Sequence, residues 1–354
     1  AEILRAPVGY DLDAALATTY TLDFETALVV PATLAFHAAE NRQETLDTPL
    51  ALLEGLERLS SRIAIFCEAG RIKAEPKGAN RLTALLEETV TEVIAPRGGA
   101  FHPKLWLLRF TPIEGFGKPR LRLALLSRNL TTDASWDLSL SLDGTATSVS
   151  RDQNGPLIEL VRALPGLASG RPAPDHIAAM VTSLADDLAR AEWEAPEHIR
   201  KISFAVNGLT DHVWRPRIGA TLGIISPFVT DDALVALSRG VDPAKACLLS
   251  RADELAFLEP ETLARFDKVL VLDEMAETED GEESEDIGIP SVPARGLHAK
   301  AFVTERYSST EITMGSGNAT SAALISSTNL EVFATLSGYT RDLGTMEDQP
   351  SPER

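Results

Sequence analysis

The sequence predicts an α/β protein built as two similar lobes, with helices on the faces of its sheets and one site where the lobes meet. Three observations predict it. Apolar runs of strand character alternate with segments of helical spacing, the pattern of a sheet covered by helices. A short constellation occurs twice: Phe101-His102-Pro103-Lys104-Leu105-Trp106 precedes Leu126-Ser127-Arg128-Asn129, and Leu297-His298-Ala299-Lys300-Ala301-Phe302 precedes Gly315-Ser316-Gly317-Asn318. The two histidines lie 196 residues apart, so an internal duplication of roughly 190 residues is the simplest account. Finally, Gly and Pro punctuation with a helical run between Gly144 and Arg200 divides the chain into a first lobe over 1–145, a helical connection over 146–200 and a second lobe over 201–354.

In chain order, residues 11–20 hold small and apolar residues at helical spacing, and Thr26 to Phe36 reads as a buried strand running into Pro31. Leu52, Leu53, Leu56 and Leu59 form one stripe of a helix over 50–60, followed by a strand over 62–67. A helix over 82–88 and a strand over 92–95 precede the first motif strand, 102–110. Residues 111–118, with Gly115 and Gly117, form a turn, and 121–126 returns as the neighbouring strand, with another over 139–142. The helical run of the connection covers 175–193. The second lobe restarts with strands over 201–206 and 220–225, a helix over 231–238, and strands over 246–249 and 269–272. In the second motif strand, 296–303, a period of two places His298, Lys300 and Phe302 on one face.

A net charge of −19 counts against a broad surface that coats nucleic acid and leaves room for a narrow basic groove. Residues 274–286 hold eight acids and no base, the pattern of a solvated loop. Cys67 and Cys247, 180 residues apart in apolar contexts, read as buried free thiols of a reducing compartment. No stretch approaches the roughly 18 apolar residues of a membrane span, and the N-terminus lacks a basic segment followed by an apolar run. A soluble, cytoplasmic protein that does not enter membranes is expected. There is no Cys/His cluster, no H-E-x-x-H and no Gly-rich phosphate loop, so neither a metal site nor a cofactor is indicated.

The repeated residue types suit a phosphate. Lysine supplies a point charge, Ser and Asn supply neutral donors, and His either attacks phosphorus or donates a proton. With both copies at one point, one neutral imidazole attacks phosphorus while the other protonates the leaving oxygen and later activates water. Lys104, Lys300, Asn129 and Asn318 hold the non-bridging oxygens, whose charge grows in the transition state. Ser127 and Ser316 add hydrogen bonds or orient the turns. Arg128, at the variable position of Ser-x-Asn, reaches a substrate phosphate or points outward. Trp106 and Trp136 are expected in the core, and His37, His176, His198 and His212 show no partner spacing.

These residues resemble the phospholipase D superfamily, whose members carry two H-x-K motifs, each followed by Gly-Ser-x-Asn. Asn329 and Glu331, eleven and thirteen residues after Asn318, match that pattern. Arg109 and Glu305 stand where the family usually has Asp, and Ser-Arg-Asn-Leu-Thr-Thr-Asp-Ala-Ser-Trp over 127–136 looks more like the tyrosyl-DNA phosphodiesterase branch, which also lacks that Asp. The resemblance spans residues 20–145 and 200–340. It implies two phospholipase D-like lobes, each a mixed β-sheet flanked by helices, with the active site at their interface. It also implies a metal-independent phosphodiesterase working through a phosphohistidine, with His102 as nucleophile, His298 as acid and Glu331 bonded to a catalytic histidine. The place of Glu331 in the first half falls to Asp137 or Ser139, so the two histidines should differ in pKa. Nucleic acid, DNA before RNA, is the expected substrate, and a helicase or ATPase of a prokaryotic defence system the implied partner. Alternatives are a phospholipid or headgroup phosphodiesterase and a catalytically silent scaffold.

Overall fold

The computed structural model describes residues 2–23, 26–27, 61–73, 88–131, 135–272 and 296–344. The helix over 50–60, nearly all of that over 82–88, most of the strand over 26–36, His37 and the acidic segment 274–286 lie outside the described residues.

The first sheet contains β1 (Tyr10–Thr19), β3 (Ile63–Glu68), β5 (Val90–Val93), β6 (Leu105–Pro112), β7 (Arg120–Leu126), β8 (Ser139–Ala146) and β9 (Ala191–Trp193), while β2 (Leu22–Asp23) and β4 (Ile72–Lys73) pair separately. Its order is β5-β3-β1-β6-β7-β8-β9, parallel from β5 to β1 and antiparallel from there on. The second sheet contains β10 (Lys201–Asn207), β11 (Thr221–Ile225), β12 (Ala246–Leu249), β13 (Lys268–Leu270), β14 (Ala301–Arg306), β15 (Ser309–Gly315) and β16 (Glu331–Tyr339). It runs β13-β12-β11-β14-β15-β16-β10 with the same change from parallel to antiparallel. The duplication read from the motifs is therefore a duplication of sheet topology, each copy extended at one edge by a strand next to β8 or β16.

Two helices of the connection, α1 (Gly155–Ala163) and α2 (Asp175–Leu188), present apolar stripes to both sheets. One continuous core runs from Leu16, Phe66 and Leu107 through Leu160, Val181 and Leu184 to Phe204, Val332 and Leu336. The segment between the motif halves is thus packed into a core that both sheets share. The outer faces have their own clusters, around Ile65, Leu108 and Phe110 in the first lobe and Ile224, Leu234, Phe302 and Phe333 in the second.

Asn154 shows how tightly this connection is fixed. Fully buried, it donates through Nδ2 to the carbonyls of Leu188 and Ala191, both at 2.9 Å, and accepts from Trp193 Nε1 at 2.9 Å. Asn154→Leu leaves two carbonyls and an indole N–H buried without partners, at about 1–3 kcal/mol for each unmade bond. A loss of about 3 kcal/mol is expected in urea unfolding. A loss below about 1 kcal/mol would mean that other groups satisfy the three orphans.

Several sequence expectations need correction. Residues 11–20 form the central strand β1 and no helix: β1 lies between β3 and β6 with Ala14 to Thr19 all buried, so no one-sided period of two survives. The helical run over 175–193 ends at Leu188, and its last residues form β9. The motif strands begin later than expected, at Leu105 and Ala301, and β6 continues to Pro112. Trp106 is buried as expected, but Trp136 is 52% exposed. Cys67 is buried and Cys247 only partly so.

Candidate functional site

His102, Lys104, His298 and Lys300 precede the ladders of β6 and β14 because their backbone bonds cross the seam between the lobes. His102 N donates to Leu330 O at 2.9 Å, and His298 N donates to Trp136 O at 3.0 Å. Phe101 bridges Leu330, and Leu297 bridges Trp136 in the same parallel sense. The two motif segments are thus each pinned by the opposite half, around a pseudo-two-fold axis. That axis equates Glu331 with Asp137, one residue on from each bridge, and so settles the choice between Asp137 and Ser139.

The Ser-x-Asn turns obey the same symmetry. Ser127 Oγ accepts from Leu138 N at 2.8 Å and Ser316 Oγ from Val332 N at 3.0 Å. Both serines are fully buried. The residues after the motif asparagines are held likewise: Leu130 N donates to Thr19 Oγ1 at 3.0 Å and Ala319 N to Ser226 Oγ at 2.8 Å. Each Asn leaves its Oδ1 buried with no hydrogen-bond partner. Such an amide is held by its backbone and keeps hydrogen-bonding capacity in reserve.

Glu331, fully buried, is the hub of the His102 side. Its Oε2 lies 2.9 Å from His102 Nδ1 and accepts from Ser316 Oγ, and its Oε1 accepts from Asn329 Nδ2 at 3.3 Å. Burial raises the pKa of Glu331, but His102, Lys104 and Ser316 outweigh it and hold the group below its ordinary value. An ionised carboxylate only accepts, so His102 Nδ1 carries the proton and Nε2 the lone pair. Burial lowers the pKa of His102 despite Glu331, which keeps the ring neutral at pH 7. His102 retains 16% side-chain exposure, an opening onto the site.

Lys104 and Lys300 are each 2% exposed. Lys104 Nζ donates to His102 O at 3.2 Å; Lys300 Nζ donates to His298 O at 2.8 Å and, across the seam, to Ser127 O at 3.3 Å. Burial and the Lys300 charge push Lys104 well below its ordinary range. Burial brings Lys300 down to about 8, against the pull of Glu331 and Asp137. Two buried ammoniums whose hydrogen bonds among the described residues go only to backbone carbonyls make a site that favours an anion. Below pH 8 Lys300 is charged in both folded and unfolded chains; between about 8 and 10.5 only the unfolded chain keeps the proton, so stability from this group rises with pH across that window. Lys300→Met should flatten the rise, read as urea midpoints at several pH values. An unaltered slope would assign it to other groups.

On the other side, Asp137 is paired with Arg128 Nη1 at 3.3 Å and accepts from Ser135 Oγ at 3.2 Å. Its pKa is raised by burial, against Arg128 and Ser135. Arg128 is 42% exposed and also donates to Thr131 O. Its counterpart Gly317 has no side chain, and a Cβ there would meet the Phe333 ring at 2.3 Å. Arg109, at the variant family position, is not part of this cluster: it pairs with Asp13 and Asp187. His176, His198 and His212 are exposed. Among the described residues no group of three His, Cys, Asp or Glu is placed to hold a metal ion.

Sequence reasoning missed Thr19 and Ser226, which brace the turns, and Tyr20, whose ring meets His102 edge-on at 5.5 Å. A hydroxyl at the end of β1 and just past β11 was the only signal.

Fold and site together define a duplicated α/β protein in which His102, Lys104, Lys300 and Glu331 cluster at the seam between its halves. No family model matches the chain, and no curated protein matches it. Among solved structures it is similar to yeast tyrosyl-DNA phosphodiesterase, with a TM-score of 0.54 and 12% identity over 96% of this chain and 85% of that one. A mutant of that enzyme gives 0.53 and 11% over 95% and 84%. Polyphosphate kinase from Porphyromonas gingivalis is a weaker likeness, 0.43 and 14% over 94% and 44%. The chain has the two-lobed fold of yeast tyrosyl-DNA phosphodiesterase.

Proposed function

We propose that the protein is a phosphodiesterase of the phospholipase D type, and that its substrate is nucleic acid. The observation that supports this most is the pairing, across a pseudo-two-fold, of a neutral His102 with its Nε2 lone pair presented and two buried ammoniums beside it. His102 Nε2 attacks phosphorus, and the bond from phosphorus to the leaving oxygen breaks as His298 gives that oxygen its proton. His298 then takes a proton from water; the hydroxide attacks phosphorus and breaks the P–N bond, freeing the phosphomonoester. Lys104, Lys300, Asn129 and Asn318 hold the non-bridging oxygens, Ser127 and Ser316 orient the turns, and Glu331 stabilises the His102 tautomer and its positive charge. No metal is required in this scheme. A bound phosphate anion raises the pKa of both lysines again, so the occupied site keeps them charged.

No helix among the described residues is long and apolar enough to cross a membrane. The acidic chain fits a cytoplasmic enzyme to which a partner, such as the helicase or ATPase of a defence system, delivers DNA. The test is cleavage of labelled single- and double-stranded DNA and RNA in EDTA, with His102→Ala and His298→Ala alongside. Cleavage that survives chelation and falls by at least about 10³-fold in both variants is expected. Cleavage of anionic phospholipid vesicles alone would replace nucleic acid by lipid. Inertness towards every diester would leave a silent scaffold. In the wild type, kcat/KM should fall as pH rises through about 8, where free Lys300 loses its proton.

A further inference from the structure

The two halves differ on their outer sides, and the difference concerns where a polymer extends from the site. At the end of β1, Thr19 is followed by Tyr20; at the equivalent place after β11, Ser226 is followed by Pro227. Tyr20 meets His102 edge-on with centroids 5.5 Å apart, and the guanidinium of Arg71 lies over the Tyr20 ring at 5.1 Å. The backbone presenting Arg71 is pinned. Arg71 N donates to Glu68 O at 3.1 Å, Leu22 N donates to Arg71 O at 3.2 Å, and Gly70 makes the turn with φ of +73°. Glu68 in turn accepts from Phe101 N, next to His102, at 2.5 Å. Arg71 is exposed and makes no salt bridge among the described residues, although its charge acts on the nearby Glu68 carboxyl, whose pKa burial raises and Arg71 pulls back down. In the second lobe, Arg251 lies over Phe228 at 5.5 Å but is neutralised by Asp253, at 3.0 Å and 2.7 Å through two nitrogens.

On a chain of net charge −19, an exposed cation held two groups away from His102, with no salt bridge among the described residues, is a specific feature. We propose that Arg71, carried on the Tyr20 ring, forms a subsite for a backbone phosphate flanking the scissile one, so that a single nucleic-acid strand extends over the first lobe on the His102 side. This rests on the phosphodiesterase reading and deepens it by giving the substrate a length and a direction. The contacts from His102 to Tyr20 (5.5 Å) and from Tyr20 to Arg71 (5.1 Å) put the guanidinium beyond the scissile position, where a flanking phosphate of the same strand would lie. Tyr20 serves as the mount: its ring carries the guanidinium and meets the imidazole at a steep angle of 66°.

Fluorescence anisotropy of a labelled single-stranded oligonucleotide, titrated at several salt concentrations, tests this without requiring turnover. Arg71→Ala should weaken binding several-fold and make the slope of log Kd against log salt shallower by roughly 0.7, the value of one phosphate contact on a single strand. Arg71→Lys should restore most of the slope, and Tyr20→Ala should lower it as Arg71→Ala does while Tyr20→Phe keeps it. An unchanged slope in Arg71→Ala, or no oligonucleotide binding by the wild type, overturns the subsite. Hydrolysis of bis(p-nitrophenyl) phosphate, too short to reach Arg71, reports separately on the phosphodiesterase reading, so the two failures are distinguishable.

Discussion

Glu331→Gln is expected to lower kcat by about 10²-fold with little change in substrate affinity. The substitution keeps shape and removes charge. Glutamine still offers His102 Nδ1–H and Ser316 Oγ an acceptor, but its amide nitrogen must then face Asn329 Nδ2, where a carboxylate oxygen accepted before. The larger consequence is electrostatic. In the proposed mechanism His102 turns cationic when it bonds phosphorus, and Glu331 would stabilise that cation. It also raises the pKa of Lys104 and Lys300, so its removal lowers both lysines further and moves the alkaline limb of the kcat/KM profile to lower pH. A merely structural Glu331 would give a variant of reduced midpoint with an unshifted pH profile, and that result would remove it from the chemistry. Asp137→Asn is the natural comparison. Because Arg128 already engages Asp137, its loss should act on a different step, so only Glu331→Gln should slow formation of a phosphoenzyme trapped by denaturation.

The candidate residues were legible because each motif is short and was written twice. His102, Lys104, Ser127, Asn129 and their counterparts His298, Lys300, Ser316 and Asn318 needed only the recurrence, and Glu331 needed its spacing from Asn318. What holds them was not legible, since it is made between segments far apart in the chain. Thr19 reaches Leu130 N and Ser226 reaches Ala319 N, and a hydroxyl at the end of an apolar run has no local pattern that distinguishes it. The motif strands were begun too early for the same reason. Alternation describes an extended backbone, and 102–104 and 298–300 lead into the strands, but the bonds of His102 N and His298 N go to the opposite lobe. β1 was misread because a strand buried on both faces loses its period, and its alanines then mimic helical spacing.

Gly208→Ala should be among the most destabilising single-methyl additions in the molecule, because it strikes the backbone that carries Glu331. Gly208 has φ of +81°, and a Cβ there would lie 2.0 Å from Asn329 O and 2.5 Å from Asn329 C, both backbone atoms. From the other lobe, a Cβ on Gly99 would meet Thr328 C and O at 2.5 Å. The segment 328–330 is therefore closed between two bare glycine backbones. Within it Asn329 Oδ1 accepts from Ala100 N at 2.9 Å, its Nδ2 steadies Glu331, and Leu330 accepts from His102 N. Left-handed backbone alone costs a non-glycine residue about 1–2 kcal/mol; displacing a packed backbone adds to this and brings the expected total to about 4 kcal/mol or more. For a chain of this size that lowers the thermal midpoint by on the order of 10 °C. Gly70→Ala supplies the control, since its φ is +73° and nothing lies within 4 Å of the added methyl. It should cost only the conformational part. Equal losses in the two variants would show that 328–330 moves aside freely, and that the Glu331 carboxylate is aimed at His102 by its hydrogen bonds alone and not by the glycine clamp.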